Sequence, residues 1–171
     1  MVIWITGLSA SGKTTVSHAF EKKFKTKYPN MVLIDGDVVR QLYGHDLGYE
    51  EPERVKQIKR IQSIAKFLED QSIIVIVAAL YANDDLLKTN RKIFKKYFEV
   101  YLEADIKFLQ TRETKELYKK ALAGEMKNVV GVDIPWHTPK NPDLIFKASE
   151  LKTPEEMSDI IFNSTEKKFT F

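Results

Sequence analysis

Val2-Ile3-Trp4-Ile5-Thr6 runs directly into Gly7-Leu8-Ser9-Ala10-Ser11-Gly12-Lys13-Thr14-Thr15, and this junction decides the fold. A short apolar or β-branched run reads as a strand. The stretch behind it matches G-x-x-x-x-G-K-[ST] at every position, and Val16, Ala19, Phe20 and Phe24 then recur at helical spacing. Strand, glycine-framed loop and helix, in that order, give the motif its meaning. Glycines let the backbone curl until successive N–H groups aim at phosphate oxygens, and the helix adds its positive end. Gly7, Ser9, Ala10, Ser11, Gly12, Lys13, Thr14 and Thr15 are therefore the expected cradle of a nucleoside triphosphate. Lys13 is expected on the β- and γ-phosphates, and the Thr14 hydroxyl on Mg²⁺.

Outward from the loop, apolar runs alternate with helical periods. The runs are Met31–Ile34, Ile73–Ala79, Glu99–Leu102 and Asp143–Phe146, and the β-branched series from Ile73 to Val77 does not alternate, as in a strand buried on both faces. Val55, Ile58, Ile61, Ala65 and Leu68 mark a helix after Pro52; Asn83 and Asp105 are candidate caps for two more. Thr153-Pro154-Glu155-Glu156 combines a proline at the first helical position with a capping box. The element order βαβαβαβααβα predicts a doubly wound α/β fold with a five-stranded parallel sheet. Phe20, Phe24, Phe94, Phe98 and Phe108 sit at core spacing and are assigned no ligand.

No repeat or linker divides the 171 residues, so residues 1–171 are read as one domain. The chain lacks cysteine, which excludes disulfides and thiol catalysis, and its three histidines are not at metal-ligand spacing. Ile73–Leu80 is too short to span a bilayer, and Met1–Thr6 does not read as a signal peptide, so a cytoplasmic protein is expected. The net charge of +3 and the scattered lysine pairs do not suggest nucleic-acid binding.

Asp35-Gly36-Asp37 follows the run Val32-Leu33-Ile34, which delivers both carboxylates to the carboxyl end of a strand beside the phosphate loop. Gly36 is expected to allow a tight turn between them. One carboxylate can take a hydroxyl proton while the other supports the magnesium shell; an acid pair that merely caps the next helix is the plainer alternative. Of Arg40, Arg54, Lys56, Lys59 and Arg60, one or two are expected to reach a second anionic group. No guanine-reading Asn-Lys-x-Asp segment occurs, and the long strand ends in Ala78-Ala79-Leu80 without an acid. A small-molecule kinase fits these residues better than a GTPase or a motor.

Further segments carry a family resemblance: Asp35-Gly36-Asp37-x-x-Arg40, Asp46-Leu47-Gly48-Tyr49, Arg54, Arg60-Ile61, Arg112, Leu117-Tyr118-Lys119-Lys120-Ala121-x-Ala123-Gly124-Glu125, Gly131-Val132-Asp133 and Asn141-Pro142-Asp143-Leu144. From residue 2 to 146 the chain resembles the adenylyl-sulfate (APS) kinases. The resemblance implies a P-loop kinase fold of three α/β/α layers with a helical lid at about 113–131. It implies transfer of the ATP γ-phosphate to a ribose 3′-hydroxyl, by a homodimer. Catalytic roles fall on Asp37 as base, Lys13 and Asp35, and the metal shell on Thr14 and Asp35. Lys119 and Lys120 close over the phosphates and Arg112 stacks on the ATP adenine. The implied acceptor shell is Asp37, Arg40, Tyr49, Arg54, Gln57, Leu80, Tyr81, Val129 and Val130.

That shell departs from the family pattern. Of the two phenylalanines that clamp the acceptor adenine, one corresponds to Tyr49 and the other to Val129; a usual Asn is Gln57, and Ser-Phe-Ile-Ser-Pro is replaced by Ala79-Leu80-Tyr81-Ala82-Asn83. Two acceptors follow: adenylyl sulfate, or the cytidine diphosphoramidate used by one branch of the family in capsular polysaccharide assembly. A non-catalytic nucleotide-binding module predicts loss of Lys13, Thr14 or Asp37, and all three are present.

Overall fold

Every residue of strand β1 (Val2–Thr6) is buried, as required of a strand with neighbours on both edges and helices on both faces. The computed structural model describes residues 1–112 and 116–169. β1 is paired on one side with β3 (Ile74–Ala79) and on the other with β4 (Tyr97–Glu103). β2 (Met31–Asp35) and β5 (Leu144–Lys147) form the edges, giving the order β2-β3-β1-β4-β5 with every pair parallel.

Alternation along β1 divides the core into two layers. Val2 and Trp4 join Val75, Val77, Ile58, Ile61, Ala65, Leu86 and Leu109 on one face. Ile3 and Ile5 join Ile74, Ile76, Phe98, Val16, Phe20, Ile161 and Phe162 on the other. The first face is covered by α3 (Glu51–Asp70) and α4 (Asp84–Ile93), the second by α1 (Lys13–Phe24) and α7 (Pro154–Lys168). Each fully buried aliphatic or aromatic side chain in these layers contributes roughly 1.5–3 kcal/mol of transfer free energy.

The expected caps are made. Asn83 accepts from the Leu86 N–H at 2.9 Å, Asp105 from the Phe108 N–H at 2.7 Å, and Thr153 forms a reciprocal box with Glu156. The helix behind Asp105 is α5 (Ile106–Arg112), followed by α6 (Leu117–Leu122). Three expectations are corrected. A further helix, α2 (Gly36–Leu42), stands between β2 and α3, too short to show a hydrophobic period. Gly36 opens that helix and is not among the positive-φ residues, so no left-handed turn separates the carboxylates. Phe108, read as core, is half-buried and lines a cavity beside Arg112.

The parallel register brings the carboxyl ends of the strands to one edge of the sheet. Thr6 is level with Ala79, and Asp35 is level with Ala78, one strand away. β2 and β4 leave β1 in opposite directions in the sheet, so the phosphate loop opens at the topological switch point.

Candidate active site

The loop at 7–12 is held by close approaches that only glycine permits. A Cβ on Gly7 would lie 2.7 Å from the Leu102 carbonyl oxygen and 2.7 Å from Ser11 Oγ. Gly12 has φ +96°, a left-handed conformation that leads straight into α1. Tyr118 of α6, fully buried, donates its hydroxyl to the Ser9 carbonyl at 3.0 Å and so ties α6 to the loop.

Lys13 curls back onto this loop, with Nζ donating to the Leu8 carbonyl at 2.7 Å. Burial pushes its ammonium down to about 8, against the opposing pull of Asp37 and Asp35. A cation held this way lacks full compensation until an anion arrives.

Asp35 and Asp37 are differently employed. Asp35 Oδ2 accepts from the Thr14 hydroxyl at 2.8 Å and Oδ1 from the Asp37 N–H at 2.8 Å, which makes Asp35 the N-cap of α2. The capping and the functional readings of Asp-Gly-Asp thus describe the same atoms. Asp37 is exposed, and its carboxylate makes no hydrogen bond among the described residues. Thr14 and Asp35 together present hard oxygens of the kind Mg²⁺ takes when phosphates and water complete its shell. No cluster of three or more His, Cys, Asp or Glu side chains suited to a metal exists among the described residues.

On the far side of the loop a cavity of about 330 Å³ is lined by Ser11, Leu102, Phe108, Arg112, Leu151 and Met157, among others. Arg112 lies 5.6 Å from the centre of the Phe108 ring. Of the expected lid, residues 113–115 lie outside the described residues. Lys119 is exposed and paired with Glu116 at 2.9 Å, which holds it on its own helix. Lys120 lies beside it at the C-terminal end of α6.

The expected acceptor residues gather on the opposite side. Arg40 is buried and donates to the Leu47 and Gly48 carbonyls at 3.0 and 2.9 Å. Arg54 donates to the Tyr49 and Asn128 carbonyls at 2.8 and 2.7 Å. Both guanidinium groups stand by the half-exposed Tyr49 ring, 4.6 and 5.4 Å from its centre. Gln57, buried, bridges the Gly36 carbonyl and Arg60. Lys56 and Lys59 are exposed, and Arg60 is paired with Asp46 at 2.7 Å. Val129 and Val130 are buried, on a turn whose Asn128 and Val129 N–H groups both donate to Asp133 at 2.6 Å. Leu80 is half-buried, and Tyr81 is buried and donates its hydroxyl to Glu51 at 2.5 Å.

Tyr118 and Asp133 stand in segments that carry the family resemblance but are given no role there, and Glu51 is singled out by no pattern. Each acts through a partner supplied by another part of the chain or by a turn without periodicity.

The adenylylsulphate kinase family profile matches residues 1–147. The chain is 41% identical over 160 residues to a cytidine diphosphoramidate kinase of Campylobacter jejuni, covering 94% of this chain and 93% of the relative. It is 35% identical over 169 residues to an adenylyl-sulfate kinase of Halothermothrix orenii, covering 99% and 91%. Among solved structures, the APS kinase of Mycobacterium tuberculosis in complex with AMPPNP and APS superposes with a TM-score of 0.87 at 30% identity, over 96% of both chains. Shikimate kinase from Aquifex aeolicus, at 19% identity and a TM-score of 0.61, shares the fold. The chain belongs to the adenylylsulphate kinase family and is a nucleotide kinase, a phosphotransferase that acts on a hydroxyl.

Proposed function

We propose that this protein transfers the γ-phosphate of ATP to the ribose 3′-hydroxyl of cytidine diphosphoramidate, serving capsular polysaccharide assembly. The observation that carries the acceptor is the residue at position 129. Val129, 4% exposed, stands where the family resemblance expects an aromatic ring. A one-sided clamp forfeits roughly 1–3 kcal/mol of base stacking, a loss that falls on a purine selected by two rings. The 41% identity to the Campylobacter cytidine diphosphoramidate kinase points the same way.

In this reading the loop amides and Lys13 bind the triphosphate, and phosphate restores the charge that burial opposes on Lys13. Arg112 and the cavity beside Phe108 take the ATP adenine, with Lys119 and Lys120 turning to the phosphates once ATP is bound. Asp37 takes the proton of the 3′-hydroxyl as it attacks, being the carboxylate of the pair with no hydrogen-bond partner among the described residues. Asp35 and Thr14 would hold Mg²⁺, which, when bound, offsets charge on the β- and γ-phosphates. Arg40 and Arg54 build the acceptor wall around Tyr49, with Gln57, Leu80, Tyr81, Val129 and Val130.

Adenylyl sulfate is the second reading, favoured by the 0.87 superposition on the APS-bound Mycobacterium enzyme. An ADP-release assay offering the two acceptors side by side decides between them. The cytidine compound is expected to win by at least about tenfold in kcat/KM, the equivalent of one lost stacking ring. Efficient turnover of APS with none of the cytidine compound would overturn the proposal. A homodimer is proposed as the working form, for which light scattering gives twice the 19.8 kDa of the chain. No helix among the described residues is long and apolar enough to cross a membrane, and a cytoplasmic location is proposed.

A further inference from the structure

Glu51 opens α3 in a way that helix chemistry alone does not explain. An acid in a first turn ordinarily favours the helix dipole or caps a free N–H. Glu51 does not cap: its Oε1 accepts from the Tyr81 hydroxyl at 2.5 Å, reaching across to the segment after β3. Tyr81 is 3% exposed, so the phenol is a fixed donor, whereas the Glu51 side chain is 46% exposed and faces open space. Oε2 has no hydrogen-bond partner among the described residues. The nearest basic group is His137, whose Nε2 lies 3.9 Å from Oε1. Arg54, one turn along the same face, has its donors turned to the Tyr49 and Asn128 carbonyls. A carboxylate aimed by a buried phenol, with one oxygen left over, therefore stands one helical turn from Arg54, whose guanidinium lies 5.4 Å from the centre of the Tyr49 ring and is bonded to the Asn128 carbonyl.

We propose that Glu51, aimed by Tyr81, is a specificity-determining residue that accepts a hydrogen bond from the exocyclic amine of the acceptor base. The inference rests on the cytidine reading above. Cytosine presents an amine donor where uracil presents a carbonyl oxygen, and a carboxylate pairs with the first and repels the second. Ring size is judged by Tyr49 and Val129, and the amine by Glu51. Tyr81 acts through Glu51 and is a positioning residue.

The test measures steady-state kinetics with cytidine diphosphoramidate and uridine diphosphoramidate, for wild type, Glu51→Ala, Glu51→Gln and Tyr81→Phe. Wild type is expected to prefer the cytidine compound by about 100-fold, the upper range for one well-placed base contact. Glu51→Ala should bring that preference to within about fivefold, by raising the KM for the cytidine compound while kcat and the KM for ATP hold. Glu51→Gln, nearly isosteric and able to donate to a carbonyl, should raise uridine turnover, and it carries the test if the alanine variant melts early. Tyr81→Phe should lose part of the preference with the same KM signature. If wild type uses the cytidine compound and both Glu51 variants keep its preference, the Glu51 role is overturned while the acceptor reading stands. If wild type ignores both pyrimidine compounds and uses APS, the acceptor reading falls and this inference falls with it.

Discussion

Two aspartates two positions apart have been given different work by what touches them. Asp35 is engaged at both oxygens, by the Thr14 hydroxyl and by the Asp37 amide, and is thereby unsuited to carry a proton away. Asp37 is exposed and its carboxylate makes no hydrogen bond among the described residues, so its removal should disturb chemistry and, beyond its pull on the Lys13 charge, little else. Asp37→Asn is expected to lower kcat by about 10²–10⁴, the worth of a general base, with the KM for ATP and the melting temperature nearly unchanged. Asp35→Ala, by contrast, removes an N-cap worth about 1 kcal/mol as well as the Thr14 contact, and should lower both activity and stability. Turnover of Asp37→Asn near the wild-type rate would remove it as base. The spacing of Asp35-Gly36-Asp37 was enough to find the pair. It did not divide their roles, because the partners that do so come from α1 and from a short helix without a readable period. Tyr118 was hidden for the same reason: its acceptor, Ser9, lies 109 residues earlier.

Elements here are joined by polar contacts as well as by apolar layers. Glu99 sits in β4 at 1% exposure, a charge inside a strand. Tyr97 donates to it at 2.9 Å and Arg91 of α4 is 3.3 Å away, while its own N–H donates to Asp143 at 2.8 Å. Asn90 donates to Tyr97, and Gln62 of α3 donates to Asn90 at 2.7 Å, so one chain of bonds crosses from α3 to β4. Lys168 of α7 closes it on Asp143 at 2.5 Å. Burial pushes the Glu99 carboxyl up despite Tyr97 and Arg91, so its charged form is the strained one. Glu99→Ala leaves the buried Tyr97 hydroxyl without its acceptor and Arg91 with only the Asn141 carbonyl and Asp143, and should cost about 3 kcal/mol in urea unfolding. Glu99→Gln keeps an acceptor for Tyr97 and removes the buried charge, and should cost about 1 kcal/mol or less. Equal losses for the two variants would show that packing, not the bond chain, matters at this position. The strands were legible because β1, β3 and the caps obey local rules. The network was not: β4 begins at Tyr97, ahead of the run read from Glu99, since a buried acid resembles a strand end until its partners from α4 and β5 are in place.

At the scale of the molecule, the phosphate site carries a cost that the rest of the fold sustains. Burial lowers the Lys13 ammonium from 10.5 to about 8, which means that folding disfavours its charge. Below pH 8 the lysine is protonated in both folded and unfolded chains, and the full penalty is present. Between about 8 and 10.5 the unfolded chain binds more protons than the folded one, so stability rises with pH. The Met1 amino group, lowered by burial despite its pairing with buried Glu69, pushes in the same direction near pH 8. On the acid side the signs reverse: backbone donors from Asn128 and Val129 hold Asp133 below the usual carboxylate range, and its contribution is lost as pH falls through that range. The melting temperature should therefore climb from acid to neutral pH and continue to climb between pH 8 and 10, where most proteins have passed their maximum. Lys13→Met isolates the cause. It should lose turnover by at least about 10³-fold, since charge on the transferring phosphoryl group loses its principal protein cation. Yet it should melt about 3 °C or more above wild type at pH 7, and the gap should close by pH 10, where wild-type Lys13 has itself become neutral. A Lys13→Met protein that melts at or below the wild-type temperature at pH 7 would show that the loop pays no penalty for its cation. Adding ATP to wild type should reproduce the gain, because phosphate offsets the burial penalty on the Lys13 charge.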